Sequence, residues 1–291
     1  MDKVFQGWHG TCRYCAQRIV KNTKQIMRII VLNGNTNTGV TESLAAEARM
    51  YASPGTEIVA TQCSRGAAFV ASRASEVVAA NAMLEAVAAY QGQYDAVLVA
   101  ISFDTAVPAL RELLPAPVIG MTEAACHVAT MVSARFGVVV PGARSAAVYR
   151  ERMVGNGFGP RLAGMRVVGP SPAVLYGDPE SASQSIYAAA QALVEEDGCE
   201  AVILAGAALV GMHHRLQPRL PVPVIDGIAC GVGMLETLVR LKLPKPTYGS
   251  YALPESAQLE NIEPALAEMF ANPSASRRLP SDAGHDGMAI A

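Results

Sequence analysis

Two polar side chains that follow a buried apolar run are well suited to acid–base chemistry. The run Asp95–Ala100 has the composition of a strand buried on both faces of a parallel sheet, and Ser102 and Asp104 follow it closely. Ligands of such sheets bind beyond the carboxyl ends of the strands, so we expect Ser102, Asp104 and their neighbour Thr105 at a site. Asp104 is a candidate general base, and Ser102 a candidate hydroxyl donor or nucleophile. Alternatively, both only cap the following helix.

A second polar turn follows the first predicted strand, Met27–Asn33. Asn33, Asn35 and Thr36 precede a predicted helix over 42–51, and amide and hydroxyl groups beside a helix start suit a small anion or a carboxamide. We therefore expect these three residues to bind substrate, with plain capping of the helix as the alternative. The turn is neither a Gly-rich dinucleotide loop nor a Walker loop, so the sequence predicts no nucleotide, and we expect no cofactor.

The segment that contains Ser102 and Asp104 has a second, similar copy later in the chain. Asp95–Ala100 matches Glu200–Ala205 with residue numbers that differ by 105, and each copy has the pattern strand, loop, helix, strand. If the two copies face each other about a pseudo-two-fold axis, the segments after the matching strands line one cleft. The later segment is Gly206, Ala207 and Ala208. Its backbone N–H groups could hold an oxyanion or carboxylate, or its small residues could serve only tight helix packing.

The remaining apolar runs complete two lobes of four βα units each. Short right-handed crossovers then predict an α/β fold of two pseudo-symmetric Rossmann-like lobes, each a four-stranded parallel sheet flanked by helices, with the active site in the cleft between them. We assign residues 27–125 plus 228–252 to the first lobe and 126–227 to the second. Residues 1–26 are expected to be a poorly ordered extension, and 253–291 a tail that is disordered from about 273.

Composition excludes several classes of function. The chain has 291 residues, 51% apolar and 16% charged, and a net charge of −2, which argues against binding to nucleic acid or a membrane surface. No run approaches the ~18 apolar residues of a membrane span, and no signal-like segment opens the chain, so we expect a cytoplasmic protein that acts on a small molecule. The pair Cys12 and Cys15 has no second pair, and the histidines lack ligand spacing. The sequence thus predicts no metal site.

Several motifs resemble the Asp/Glu/hydantoin racemase superfamily, and specifically its hydantoin and allantoin racemase branch. The resemblance spans about residues 27–252. Its motifs are Asn33-Gly-Asn-Thr36, Ser53-Pro-Gly-Thr-Glu57, Ala109-Leu-Arg-Glu112, Pro117-Val-Ile-Gly-Met-Thr-Glu-Ala-Ala125, Glu195-Glu-Asp-Gly-Cys-Glu-Ala-Val202 and Pro223-Val-Ile-Asp-Gly227. Racemases of this family use two cysteines, one per lobe, as base and acid on opposite faces of the substrate's α-carbon. Placed on this sequence, these cysteines fall at Ile101 and Gly206, and neither is a cysteine here.

The missing thiols leave three hypotheses. We favour a cofactor-independent enzyme on a hydantoin-type or related cyclic amide or carboxylate, which cleaves a ring bond as a hydrolase or lyase without cysteine. The alternative is a hydantoin, allantoin or amino-acid racemase with non-standard acid and base groups. The third is a ligand-binding relic without catalysis. Family members are commonly oligomers, so a homo-oligomer is compatible with the resemblance.

Other residues have weaker claims to the site. Thr122 and Glu123 resemble family residues at the entry to the fourth helix, where Thr122 is expected to touch substrate and Glu123 to satisfy buried backbone. Cys126 and Cys230 could be displaced acid–base thiols, although a thiol on a buried helix is more often part of a core.

The adjacent pair His213 and His214 is a last candidate for catalysis. Neighbouring residues of a helix point in different directions, so we expect that the two histidines cannot easily chelate one metal ion.

Overall fold

The computed structural model describes residues 26–90, 92–169 and 171–274 of the chain. The expectations for residues 1–25 and 275–291 lie outside the described residues. The strands are β1 Met27–Asn33, β2 Thr56–Gln62, β3 Ala96–Val99, β4 Val118–Gly120, β5 Phe136–Pro141, β6 Leu162–Val168, β7 Ala201–Leu204 and β8 Val224–Asp226. The helices are α1 Thr38–Tyr51, α2 Arg73–Ala88, α3 Val107–Leu113, α4 Met121–Val132, α5 Ala143–Gly155, α6 Pro172–Gly177, α7 Pro179–Glu195, α8 His213–Leu216, α9 Gly227–Leu241 and α10 Pro264–Ala271.

The strands form two separate four-stranded sheets with the same topology. The first has the order β2-β1-β3-β4 and the second β6-β5-β7-β8, and every pairing is parallel. Helices cover both sheets, so the predicted α/β fold class of two similar lobes is confirmed. In the part of the chain that the structure describes, no helix is both long and apolar enough to cross a lipid bilayer.

Two elements differ from the sequence-based expectation. Helix α1 begins four residues before residue 42, because the side chain of Asn37 accepts a hydrogen bond from Val40 N at 3.2 Å and caps the helix there. Helix α10 lies within the segment that we expected to be a tail. Its Met269 and Phe270 pack against the core of the first lobe, and this contact orders the segment.

The two lobes exchange helices. Ile228 and Val232 of α9, the helix that follows the second sheet, pack with Ile29 and Leu98 of the first sheet. Helix α4, which follows the first sheet, packs with the second: its Ala125, Cys126 and Ala129 lie in one apolar cluster with β5 and β7. Each core is therefore completed by a helix from the other half of the chain.

Helices α4 and α9 start at equivalent places in the repeat and approach closely there. Met121 opens α4 and Gly227 opens α9, and a Cβ atom on Gly227 would lie 2.3 Å from the carbonyl oxygen of Met121. Backbone cannot yield to a side chain as a flexible side chain can. Glycine is thus required where the two helices meet.

We expect Gly227→Ala to lower the free energy of unfolding by about 1–3 kcal/mol, because the added methyl overlaps the Met121 backbone. Gly233→Ala on the same helix is the matched control, since a Cβ atom there meets nothing within 4 Å. It should be neutral or stabilise by up to ~1 kcal/mol through helix propensity. Urea unfolding of both variants checks this, and equal effects would contradict the proposed close approach.

Candidate functional site

The segments after β3 and β7 line one narrow cleft between the lobes. The cleft encloses a cavity of about 30 Å³. Of the residues predicted for the site, those that line this cavity are Asn35, Ser102, Gly206, Ala207 and Ala208. Its other lining residues are Val40, Phe69, Val70, Ile101, Phe103, Pro141, Tyr149 and Pro172. The space suits one or two waters, so the cleft must open to admit a substrate ring.

Tyr149 is the site residue that sequence reasoning missed. It lies on α5 of the second lobe, is 3% exposed, and its hydroxyl is close enough to the side chain of Ser102 in the first lobe to interact with it. Its hydroxyl is 3.7 Å from the place of a Cβ atom on Gly206, and its ring packs edge-on against Phe103 with centroids 5.2 Å apart. Burial raises the pKa of Tyr149, so the phenol stays protonated. No motif or repeat includes this residue.

Ser102 is held in the cleft wall by the start of helix α4. Its carbonyl oxygen accepts a hydrogen bond from Thr122 Oγ1 at 2.7 Å, and its own hydroxyl lies 3.6 Å from Met121 Sδ. Ser102 and Thr122 are both almost fully buried. In this structure Thr122 thus contacts the backbone of a cleft residue and is not among the residues that line the cavity.

Asp104 caps helix α4 from outside the helix. Its two carboxylate oxygens accept the N–H groups of Thr122 at 3.0 Å and Glu123 at 2.8 Å, from a backbone with φ +50°. Burial raises the pKa of Asp104 to about 7, against the opposing effect of these two hydrogen bonds. Gly120 leaves room for the carboxylate, because a Cβ atom there would lie 2.2 Å from Asp104 Cγ.

The second lobe caps its equivalent helix differently. Asp226 takes the place of Gly120 in the repeat, and its Oδ1 accepts the N–H groups of Ile228 at 2.8 Å and Ala229 at 3.1 Å. The two lobes thus obtain the same capping carboxylate from different positions. Asp104 lies behind the cavity wall, where it orders α4, and the prediction that it acts as a base remains a prediction.

The polar turn after β1 is organised by its own amides. Asn33 Nδ2 donates to Asn35 Oδ1 at 3.0 Å and to Thr41 Oγ1 at 2.9 Å. Asn33 is fully buried, and Asn35 is the residue of this turn that lines the cavity. Thr36 donates its N–H to Ala67 O at 3.2 Å. Thr105 points to Glu76, with Thr105 Oγ1 at 3.5 Å from Glu76 Oε1, and does not line the cavity.

The weaker candidates lie away from the cavity lining. Glu123 pairs with Arg111 at 2.6 Å. Cys126 and Cys230 pack in the core, where burial raises the pKa of the Cys126 thiol and raises that of Cys230 to about 12. These two thiols are therefore held protonated at neutral pH.

The histidine pair does not behave as expected. We expected His213 and His214 to point apart, but their ring centroids are 3.9 Å apart and both Nε2 atoms approach Glu47 Oε1. Helix α8 has only four residues, and the two rings fold towards the same carboxylate on α1.

Fold and site together define a two-lobed α/β protein with a buried cleft between pseudo-symmetric sheets, mostly apolar in its lining, into which Asn35, Ser102 and Tyr149 bring polar side chains. The sequence profile of the family described as Asp/Glu/hydantoin racemase matches residues 29–235. The chain therefore belongs to the Asp/Glu/hydantoin racemase family.

Several relatives that match this chain over nearly their whole length carry racemase names. Hydantoin racemase of Paenarthrobacter aurescens is 32% identical over 234 residues, which are 80% of this chain and 99% of that protein. The solved allantoin racemase from Klebsiella pneumoniae is 34% identical with a TM-score of 0.80, covering 82% of this chain and 98% of the other. Allantoin racemase from Pseudomonas fluorescens is also 34% identical, with a TM-score of 0.77 and coverage of 80% and 99%.

These relatives correct the favoured hypothesis of the sequence analysis. We expected a hydrolase or lyase that cleaves a ring bond, because both family cysteines are replaced, at Ile101 and Gly206. The relatives are named racemases, so the ring-cleavage expectation is wrong and the alternative fits better. The replacement of two cysteines alone does not indicate ring cleavage in a chain that is similar to racemases over 80% of its length.

We expect Asp104→Asn to change how stability depends on pH. The folded-state pKa of Asp104, about 7, lies above its ordinary value of 3.8, so its contribution to stability is full below about pH 4 and is lost as the pH rises through 7. The stability of the wild type relative to the variant should therefore be greatest near pH 4, fall as the pH rises to about 7, and stay constant above that. Denaturant unfolding across this range measures the difference. A difference that stays constant or widens with pH would contradict the raised pKa.

We expect Gly206→Ala to destabilise the protein by about 2 kcal/mol or more. Gly206 has φ +119°, a conformation that costs other residues about 1–3 kcal/mol, and a Cβ atom would lie 2.9 Å from Pro141 Cγ. Gly155→Ala is the control, because that site is open and Gly155 lies at the end of α5. Thermal unfolding tests both, and a fully stable Gly206→Ala variant would show that this wall accepts a side chain.

Proposed function

We propose that the protein racemises a 5-substituted hydantoin, with allantoin-like rings as the favoured substrate class. The observation that carries this proposal is the match of almost the whole length of hydantoin and allantoin racemases to this chain, with the cleft placed between the equivalent strand ends. The protein acts on a small molecule, and a cytoplasmic location and a homo-oligomer remain predictions.

The chemistry of such a ring explains what the cleft must supply. The C5–H bond of a hydantoin is adjacent to the C4 carbonyl, so loss of the proton gives an enolate whose charge spreads onto oxygen. Racemisation then needs a proton acceptor on one face of C5 and a proton donor on the other, and no bond of the ring breaks. Two groups that come from opposite lobes satisfy this demand.

Ser102 and Tyr149 are the groups from opposite lobes that the cleft offers. Tyr149 supplies the proton, because burial keeps its phenol protonated and its hydroxyl lies beside Gly206, where the resemblance places the second cysteine. Ser102 lies next to Ile101, the place of the first. A bound ring lies between the two hydroxyls, which interact with each other in the free protein.

Asp104 is the ionisable group behind this pair. A pKa near 7 is favourable for a general base at neutral pH, and the charge of Asp104 acts on Tyr149, raising the pKa of that phenol. Asp104 is two residues from Ser102 in one tight turn, in which Asp104 N donates to Ile101 O at 2.9 Å. In this proposal the proton from C5 passes through the Ser102 hydroxyl to Asp104, which releases one backbone N–H to receive it. Tyr149 gives its proton to the opposite face of C5 and is left as a phenolate. When the product leaves, Tyr149 regains a proton from water and Asp104 gives its proton to water, which restores both groups.

An exchange experiment in deuterated buffer tests the proposed reaction. Enantiopure allantoin and 5-substituted hydantoins should lose optical rotation while one deuterium appears at C5 and the ring stays intact, faster than in buffer alone. Polarimetry and NMR on one sample follow both changes. Ring-opened products, or exchange no faster than the buffer blank, would overturn the proposal.

Variants of the hydroxyl pair test the assigned roles. Ser102→Ala and Tyr149→Phe should each lower the rate of C5 exchange by ~10²-fold or more, as expected for loss of a proton-transfer group. Tyr94→Phe removes the hydroxyl of another buried tyrosine, outside the cleft, and should leave the rate unchanged. Full exchange in the Ser102→Ala, Tyr149→Phe double variant would show that neither residue transfers the proton. It would not contradict the proposal that the protein is a racemase.

A further inference from the structure

A second cluster of polar side chains lies where helix α1 of the first lobe meets helix α8 of the second. Glu47 on α1 faces His213 and His214 on α8, and Tyr51, one turn further along α1, lies beside both rings. Glu47 is 5% exposed and His213 is 8% exposed. None of these residues lines the cleft cavity, so the cluster is separate from the proposed catalytic site.

The spacing of the cluster matches the requirements of a tetrahedral metal ion. Glu47 Oε1 lies 3.6 Å from His213 Nε2 and 3.2 Å from His214 Nε2, and the potential ligand atoms are all within 4.8 Å of one another. Two ligand atoms bound about 2.05 Å from a tetrahedral ion are about 3.3 Å apart. Little movement is therefore needed to place all three atoms around one ion.

Two buried polar atoms of this cluster lack hydrogen-bond partners. Glu47 Oε1 and His213 Nδ1 are buried and make no hydrogen bond of ordinary geometry within the described residues. A buried acceptor without a donor destabilises the folded protein, and a bound cation removes this cost.

Asp226 lies behind the His213 ring, where its carboxylate can orient that ring. Its Oδ2 lies 3.8 Å from His213 Nδ1, on the side of the ring opposite to Nε2. Metal-binding histidines commonly direct their second nitrogen at a carboxylate, which fixes the ring and its tautomer. The side chain of His214 is 40% exposed, which gives an ion a route from solvent.

We propose that Glu47, His213 and His214 bind one divalent transition-metal ion of the zinc class, with an open fourth position. Two imidazoles and one carboxylate are a ligand set that Zn²⁺ and Co²⁺ accept and that Mg²⁺ and Ca²⁺ disfavour. Tyr51, whose hydroxyl is 2.8 Å from His213 Nε2, gives up that hydrogen bond when the ion binds.

The bound ion joins the two lobes. Helix α1 begins beside Asn35 of the cleft, and α8 follows the short segment that carries Gly206, Ala207 and Ala208. An ion between the two helices therefore holds one cleft wall against the other. Its expected effect is greater thermal stability, independent of whether the protein turns over any substrate.

Metal binding to the full-length chain tests this proposal. The protein is stripped with chelator, titrated with Co²⁺ and read by its visible absorption, and Zn²⁺ is then added during thermal unfolding. We expect one equivalent of Co²⁺ with the intense bands of a tetrahedral site, and a higher melting temperature with Zn²⁺. His214→Ala and Glu47→Gln should each weaken binding at least ~10-fold and abolish the thermal shift.

Two controls separate this site from others on the chain. His127→Ala removes an exposed histidine beside Glu123 and should leave binding unchanged, and so should Cys12→Ser with Cys15→Ser, which removes the only CxxC pair. His214 is partly exposed, so its removal is not expected to unfold the protein. Absence of binding, binding that survives His214→Ala, or binding lost with the two cysteines would each overturn the proposal.

Discussion

The close approach of Gly227 to the Met121 carbonyl is the constraint on which the rest of the structure depends. It brings the first turns of α4 and α9 together at equivalent points of the repeat, so that each helix completes the core of the other lobe. The start of α4 then binds Asp104 and the Ser102 carbonyl, and the start of α9 binds Asp226. Two sheets that share no strand are thus joined at the place where the cleft forms.

Where the resemblance places two cysteines, this chain has Ile101 and Gly206, and the cleft presents the hydroxyls of Ser102 and Tyr149 instead. Gly206 has a backbone conformation and a Pro141 contact that leave no room for a side chain, and the Tyr149 hydroxyl takes up the space beside it. Ser102 from the other lobe completes the pair. Burial keeps the Tyr149 phenol protonated, so in the proposed mechanism the carboxylate of Asp104, with its pKa near 7, is the group that accepts the proton from C5.

The fold was predictable because its signals are local. The apolar runs predicted the strands, and the internal repeat predicted the two lobes. The position of Ser102 after β3 was predictable for the same reason, whereas Tyr149 was not, because its role depends on contacts between helix α5 and the opposite lobe that no spacing in the chain records. The prediction for the histidine pair was wrong for a different reason. In a regular helix adjacent side chains point in different directions, but α8 has only four residues, and both rings turn towards Glu47.

A crystal structure with 5,5-dimethylhydantoin bound would test the proposed site most directly, because this ring lacks the C5 proton and cannot be racemised. We expect the ring between the Ser102 and Tyr149 hydroxyls, in contact with both, and C5 placed between the two lobes. A ring bound elsewhere, for example beside Thr105 and Glu76, without contact to either hydroxyl, would contradict the site proposed for this protein.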